Sequence, residues 1–274
     1  MKIGFVFTNY KNSHYTREVV YSISNNQNFK DSYITIVDNN SDDQDVNLLK
    51  KIKQDYPSIE IIFNKENVGY FKGINIGIKY LRSEIPDLKH IVIGNNDLFF
   101  PLDFIKVVKS KVTLFKRYPV ISPDLITLDG VHQNPHVVKK ISKIREIIYD
   151  IYYSNYYLSL LIGYLANATK KITERKDEEQ FEIAQTIYQG YGACYILGPL
   201  FFENFDLLWA PTFLMGEEFF LSKQLEKKGM KVYYEPSIKV NHHDHATMGK
   251  LPTKKLWKIS KESHKTYRKY VKIY

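Results

Sequence analysis

The side chains of this chain best suited to chemistry stand in short polar clusters directly behind apolar runs. "KIGFVF" leads into Thr8-Asn9-Tyr10, "SYITIV" into Asp38-Asn39-Asn40, and "HIVIG" into Asn95-Asn96-Asp97. Amides and carboxylates placed there offer hydrogen bonds and hard oxygen ligands, although Asn and Asp are also the ordinary residues of turns and helix caps. Further on, "MGEEFF" sets Glu217-Glu218 at the opening of a helical pattern, and "VNHHDH" gathers His242, His243 and His245 around one Asp. A carboxylate can deprotonate a hydroxyl, yet in a first helical turn it also offsets the macrodipole by about 0.3–1 kcal/mol. "HHDH" reads equally as part of a site or as a surface metal-binding run. "NVGYFKGINIG" spaces Gly69, Gly73 and Gly77 four apart. That leaves one helix face open to a backbone or a phosphate, with the Asn75 amide available to a ligand oxygen.

The elements that carry these clusters follow from hydrophobic periodicity. Short β-branched or aromatic runs alternate with helical-length polar segments at 14–28, 43–55, 72–84 and 102–117. This alternation predicts an α/β fold around a mostly parallel central sheet with helices on both faces. Ligands of such sheets collect at the carboxyl ends of the strands, where the polar clusters after the first, second and fourth runs converge on one crevice. "TIYQGYGACYILG" predicts a later strand, and "MKVYYEPSIKVNHHDH" two short ones.

The region 138–188 breaks the pattern. Its stretch from Ile151 to Thr169 is uncharged but carries Ser154, Asn155, Ser159, Asn167 and several tyrosines, so it does not read as the roughly 20 apolar residues of a membrane span. It suits either the membrane interface or a helical hairpin packed on the domain. The tail "KKLWKISKESHKTYRKYVKIY" predicts a basic helix with interleaved aromatics, which either lies on an anionic bilayer or packs on the body. The expected organisation is a single domain over 1–248, with an inserted helical region at about 138–188, followed by a basic aromatic helix over 249–274.

Composition narrows the function classes. With 274 residues, 44% hydrophobic, the chain can build a real core. Its one cysteine, Cys194, rules out a disulfide framework and a CxxC zinc site and reads as a small buried hydrophobe. The glycine spacing matches neither GxGxxG nor GxxxxGK[ST], so dinucleotide and P-loop readings lose their main support. A formal charge of +9 attracts polyanions, but the dispersed aromatics form no nucleic-acid module, and no nucleic-acid partner is expected. The opening apolar run is too short for a signal peptide, so a cytoplasmic location is expected, with peripheral contact on the inner face of the cell membrane.

Taken in order, "TNY", "IVDNNSDD", "NVGYFKGINIGI", "GNNDLFF", "GYGACYILG", "MGEEFFLSKQLEKKGMKVYYEP" and "SIKVNHHDHAT" resemble the family 2 glycosyltransferases. These are inverting enzymes of the GT-A, or nucleotide-diphospho-sugar transferase, fold, which pass a sugar from a nucleotide diphosphate to an acceptor hydroxyl. The resemblance covers about 1–128 and 188–248. It implies that Asp38 binds the nucleotide base or ribose in a pocket shaped by Asn40 or Ser41, and that Thr8, Asn9, Tyr10, Asn67, Gly69, Asn75, Asn95 and Asn96 line the nucleotide-sugar site. Asn95-Asn96-Asp97 takes the place of the DxD motif, with Asn95 replacing the first Asp and Asp97 as the metal ligand. His242 corresponds to a second metal ligand, and the implied cofactor is Mn²⁺ or Mg²⁺. Glu217-Glu218 takes the place of the catalytic pair, Glu218 standing where an Asp base is usual. The implied partners are a UDP- or dTDP-linked sugar donor and a saccharide or lipid-linked acceptor of cell-surface polysaccharide synthesis. Two alternatives stand beside this reading: a sugar-phosphate nucleotidyltransferase, which would want a glycine-rich basic loop after the first strand, and a degenerate nucleotide-sugar-binding module.

Overall fold

Strand β1 (Ile3–Asn9) is apolar on both faces, which is what a strand covered on both sides requires. Phe5 and Phe7 project to one face and meet Phe100 at ring-centroid distances of 5.7 and 5.9 Å. Val6 projects to the other, where helix α3 (Tyr70–Glu84) lies against the sheet. The glycine stripe makes that contact close. A Cβ on Gly77 would fall 2.4 Å from Val6 and one on Gly73 2.7 Å from Thr8. The small face of α3 is therefore taken up by β1, and no room remains there for the phosphate approach its spacing suggested. A computed structural model describes residues 1–168, 176–243 and 253–272.

Strands β2 (Ser32–Asp38), β3 (Glu60–Phe63) and β4 (Ile91–Asn95) join β1 in parallel, with α1 (Ser13–Ser24), α2 (Asp43–Asp55) and α3 as the connections. Register then does the positioning: Asn9 lies beside Asp38, and Thr8 beside Asn95. Beyond β4 the sheet becomes mixed. β5 (Leu98–Phe99), β6 (Val120–Thr127), β7 (Gln185–Ile187), β8 (Cys194–Leu197) and β9 (Val232–His242) complete an order β3-β2-β1-β4-β8-β6-β9-β5, with β7 also on β9. β8 runs antiparallel to both β4 and β6, while β6 and β9 are parallel. The expected α/β architecture is thus present, but parallel pairing is confined to the β3-β2-β1-β4 half and to β6-β9, because the regular βα alternation stops after β4.

The segment 102–117 forms two short helices, α4 (Phe104–Ser110) and α5 (Val112–Phe115). The two short strands expected near the end are one element, β9. Its pairing with β6 slips between Pro123 and Asp124, so Pro236, Ser237 and Ile238 bulge between two paired stretches.

The inserted region forms α6 (Lys143–Ser154) and α7 (Tyr156–Ala168), hinged at extended Asn155. Two further helices, α8 (Pro199–Asn204) and α9 (Glu217–Glu226), precede β9, and α10 (Thr253–Arg268) packs on α6. Arg268 pairs with Glu146 at 2.9 Å and also with Asp150, which meets His264 at 2.8 Å. Among the described residues no helix is long and apolar enough to cross a membrane.

Candidate active site

The predicted clusters divide into groups turned into the protein and groups left open. Asp38, 1% exposed, accepts from Asn9 Nδ2 (2.8 Å), Ser41 Oγ (2.6 Å) and the Ser41 amide (3.0 Å). Asn9 and Asn96 are also buried. The Asn96 amide donates to Asn9 Oδ1, Asn12 Oδ1 and Thr16 Oγ1, and its oxygen accepts from Asn12 Nδ2. These three residues, assigned to ligand contact, form a buried hydrogen-bond network beneath the strand ends. A buried polar group needs such partners, and these hold the loops after β1, β2 and β4 together.

Asn75 is likewise engaged elsewhere. Its amide donates to Leu208 O (2.8 Å) and accepts from the Leu208 N–H (2.9 Å), so it pins the 207–209 loop to α3 where a ligand contact was expected. Asn67 accepts from the Gly69 N–H (3.0 Å). Gly69 itself has φ +89, and any Cβ there would fall 2.1 Å from Phe213 O. It must be glycine for the chain to pass Phe213 and start α3. Thr8, Tyr10, Asn40, Asn67 and Asn95 keep solvent-accessible surface around this edge.

The chemistry-bearing groups meet across one short segment, 190–193. Its Ala193 carbonyl accepts from the Asn95 N–H at 2.9 Å, fixing it to the end of β4. The Gly192 carbonyl accepts from Tyr70 Oη at 3.0 Å, and the Gly192 Cα lies against Glu218, leaving no space for a side chain: a Cβ would stand 2.4 Å from Glu218 Oε1. Tyr191 places its ring 6.0 Å from that of His242. His242 Nε2 stands 3.3 Å from Asp97 Oδ1, while its Nδ1 contacts Gln133 Oε1 at 2.7 Å. Asp97, more than a hundred residues ahead of Glu218 and His242 in the sequence, is therefore linked to both through four residues of backbone.

Pairing explains which histidine is present. β5 and β9 set Leu98 opposite His242, and the His243 N–H bonds Asp97 O at 2.9 Å. The His243 ring turns away to Glu18, at 3.3 Å. His245 lies outside the described residues. Asp97 Oδ1 is buried without a hydrogen-bond partner, and among the described residues no three or more His, Cys, Asp or Glu side chains are grouped so as to hold a metal ion.

The two glutamates differ sharply. Glu217 is 6% exposed, and its Oε1 has no hydrogen-bond partner. Burial first, then the charge of Glu218, pushes its carboxyl up to about 8. Glu217 at the start of α9 thus keeps its proton at neutral pH, beside the more accessible Glu218. Burial and then the neighbouring Cys194, Glu217, Glu218 and Asp97 raise the Tyr70 hydroxyl well above the usual phenol range, which keeps it a neutral donor to Gly192. Met215 (φ +73) and Gly216 (φ +84) form the left-handed turn that aims α9. A non-glycine residue there is a strained choice of the kind found at functional sites.

Sequence reasoning missed Tyr70, Gln133, Asn134 and Gly192. Asn134 is fully buried and accepts from the Tyr191 N–H at 2.8 Å, so it sets the 190–193 segment. The signal for that segment was the glycine pair in "QGYGA"; for Gln133 and Asn134 there was none.

The model of "Glycosyl transferase family 2" matches residues 5–146, more than half of the chain. The chain belongs to glycosyl transferase family 2. Solved structures similar to this family member are glycosyltransferases of the GT-A fold. S. aureus TarS matches with a TM-score of 0.57 at 11% identity, over 88% of this chain and 36% of TarS. GalNAc-T7 with UDP, GalNAc and Mn²⁺ matches at 0.59 and 12%, over 88% and 43%. The Pyrobaculum calidifontis mannosyltransferase PcManGT with GDP-Man and Mn²⁺ matches at 0.55 and 12%, over 88% and 56%. The chain thus spans between about a third and somewhat over half of those chains, and at such identities they establish its α/β GT-A fold. Among curated protein sequences it has no match.

Proposed function

We propose that this glycosyltransferase is an inverting hexosyltransferase that moves a sugar from a UDP- or dTDP-linked donor to a hydroxyl of a saccharide or lipid-linked acceptor in cell-surface polysaccharide synthesis. The observation that carries the reading is the 190–193 segment, which holds Glu218 on one side and the Asp97–His242 pair on the other. Glu218, partly open to solvent, takes the proton of the attacking hydroxyl. Because one base acts directly on the acceptor, a single displacement with inversion at the anomeric carbon follows. Glu217, its carboxyl pushed up by burial, keeps its proton beside Glu218. Thr8, Tyr10, Asn40, Asn67 and Asn95 bind the nucleotide sugar at the strand ends, above the buried platform of Asn9, Asp38 and Asn96.

The orphaned Asp97 oxygen beside His242 fits a divalent cation, Mn²⁺ or Mg²⁺, held by these two side chains together with donor diphosphate and water oxygens. When bound, such an ion offsets the negative charge that develops on the leaving diphosphate. Both related structures named above with a bound nucleotide also contain Mn²⁺.

The test is a thermal-shift screen of UDP-, dTDP- and GDP-linked sugars with and without Mn²⁺, followed by NMR of the product's anomeric configuration. Metal-dependent stabilisation by one donor class is expected, since a ligand of the folded state alone raises its stability. Glu218→Gln should lose about 10²–10⁴-fold in turnover while keeping that stabilisation. Retention of configuration, or full activity of Glu218→Gln, overturns the reading. Binding without turnover across donors and acceptors favours the degenerate binding module, to which Asn95 in place of an Asp points.

Contact with an anionic membrane is part of the same reading. Ile144, Ile148, Tyr157, Leu161 and Tyr164 of α6 and α7 are exposed. At the corner between these helices Lys254 and Lys261 flank Trp257, with Lys254 Nζ 5.6 Å from the Tyr156 ring. Apolar and aromatic groups beside cationic ones are the composition of an interfacial surface. Flotation with phosphatidylglycerol liposomes is expected, weakened by Leu161→Ser with Tyr164→Ser. Unchanged flotation of that double variant removes α7 from the contact.

A further inference from the structure

Next to Glu218 lies a cavity of about 180 Å³, walled by α6, α10, Gln189 and the Met215-Gly216 turn. The family match ends at residue 146, so Tyr149, Tyr153 and all of α10 lie beyond it. Tyr149 and Tyr153 line it from α6; Ser260, Ser263, His264 and Tyr267 line it from α10. The rings form a ladder: Tyr153 stacks on His264 at 4.5 Å, His264 on Tyr267 at 5.7 Å, and Tyr267 meets Phe219, next to Glu218, at 4.4 Å. Three of these side chains are held from behind. His264 bonds Asp150, Tyr267 bonds Glu146, and Ser263 Oγ bonds Leu214 O. That last bond joins α10 to the Met215-Gly216 turn that aims Glu218.

From this geometry we infer that the cavity is the acceptor subsite of the proposed transferase and that it takes a pyranoside ring, stacked on Tyr153, with one hydroxyl reaching the Glu218 carboxylate. The inference rests on the function proposed above. Three features support it. The volume suits a single sugar ring. Pockets for such ligands combine apolar and aromatic walls with a few polar groups, as the Tyr and Ser side chains do here. One wall is the side chain that would remove the acceptor proton, so a bound sugar is already next to its base, and holding the two together supplies the proximity term of catalysis. In the overall step the acceptor O–H proton passes to Glu218, the acceptor oxygen forms the new bond to the anomeric carbon, and the bond from that carbon to the donor diphosphate breaks with the diphosphate leaving.

Saturation-transfer-difference NMR on the full chain tests this, with methyl glycosides of glucose, galactose, mannose and N-acetylglucosamine as probes in the presence of UDP and Mn²⁺. At least one glycoside should receive saturation on its ring protons. The signal should fall at least fivefold in Tyr153→Ala and again in Ser260→Trp, which fills the cavity. Both variants must retain the thermal stabilisation by UDP and Mn²⁺ that marks a folded nucleotide site. Once the donor is known, Tyr153→Ala should raise the KM for acceptor at least tenfold while the KM for donor stays within twofold. Saturation that survives undiminished in both variants, or its absence for every glycoside while nucleotide binding is intact, overturns the subsite and leaves the transferase reading standing. Absence of nucleotide binding in the parent chain overturns the transferase reading itself.

Discussion

Replacing Glu217 by Gln separates the two members of the acidic pair. In the folded chain Glu217 is buried beside Glu218 and its carboxyl is pushed from 4.5 up to about 8. The sign follows from linkage. Between the unfolded and folded values the native state holds a proton that the unfolded state has released, so stability falls as pH rises through that window and stays low above it. At 1.36 kcal/mol per unit, the loss accumulated by pH 7 is roughly 3 kcal/mol. Gln has no proton to lose, so Glu217→Gln should match the parent near pH 4.5 apart from a constant offset and exceed it progressively up to pH 8. Urea unfolding followed by the fluorescence of Trp209 and Trp257 from pH 5 to 8.5 measures the difference. Glu218→Gln should flatten the Glu217 slope without abolishing it, because burial is the first cause and the neighbouring charge only the second. In the transfer assay at pH 7, Glu217→Gln should keep activity within a few-fold. Parallel pH–stability curves for Glu217→Gln and the parent would refute the assignment of the shared proton.

Three further outcomes follow. Gly192→Ala inserts a methyl 2.4 Å from Glu218 Oε1; the flexible carboxylate yields, so thermal stability should hold within a few degrees while turnover falls about 100-fold, the usual cost of a misplacement near 1 Å. Asn96→Ala strips partners from Asn9, Asn12 and Thr16 at once and should cost about 2–4 kcal/mol in urea unfolding. His90 is held down to about 4, by burial first and then by the N-terminal amine and Lys89; because the unfolded imidazole protonates near 6.5, stability should be complete above that pH and decline as pH falls towards 4. In His90→Asn that slope should flatten by about one proton.

The first half of the sheet was legible because its signals are local. Apolar runs with alternating βα spacing name β1 to β4, and strand-end logic brings their polar ends together; the register sets Asn9 beside Asp38 and Thr8 beside Asn95. What the sequence does not display is which way a polar side chain turns. Asn9, Asn75 and Asn96 look like ligand contacts by type and place, yet each satisfies another buried group, and burial is decided by neighbours remote in sequence. β6 escaped notice because Pro123 sits inside "VISPDLIT", where proline argues against a strand; the bulge opposite it on β9 makes the proline tolerable. Gln133 and Asn134 stayed invisible for a related reason, since they position His242 and Tyr191 from a loop with no periodicity.

Strand β9, late in the chain, slots between β6 and β5, two strands that lie more than a hundred residues earlier. Closing so long a loop is slow. Until it closes, Asp97 has no imidazole across from it, however complete the β3-β2-β1-β4 half has become. Cation-dependent nucleotide capture should therefore appear in step with the final docking of that strand during refolding, which would make a fluorescent nucleotide a clock for the last event in maturation of the molecule.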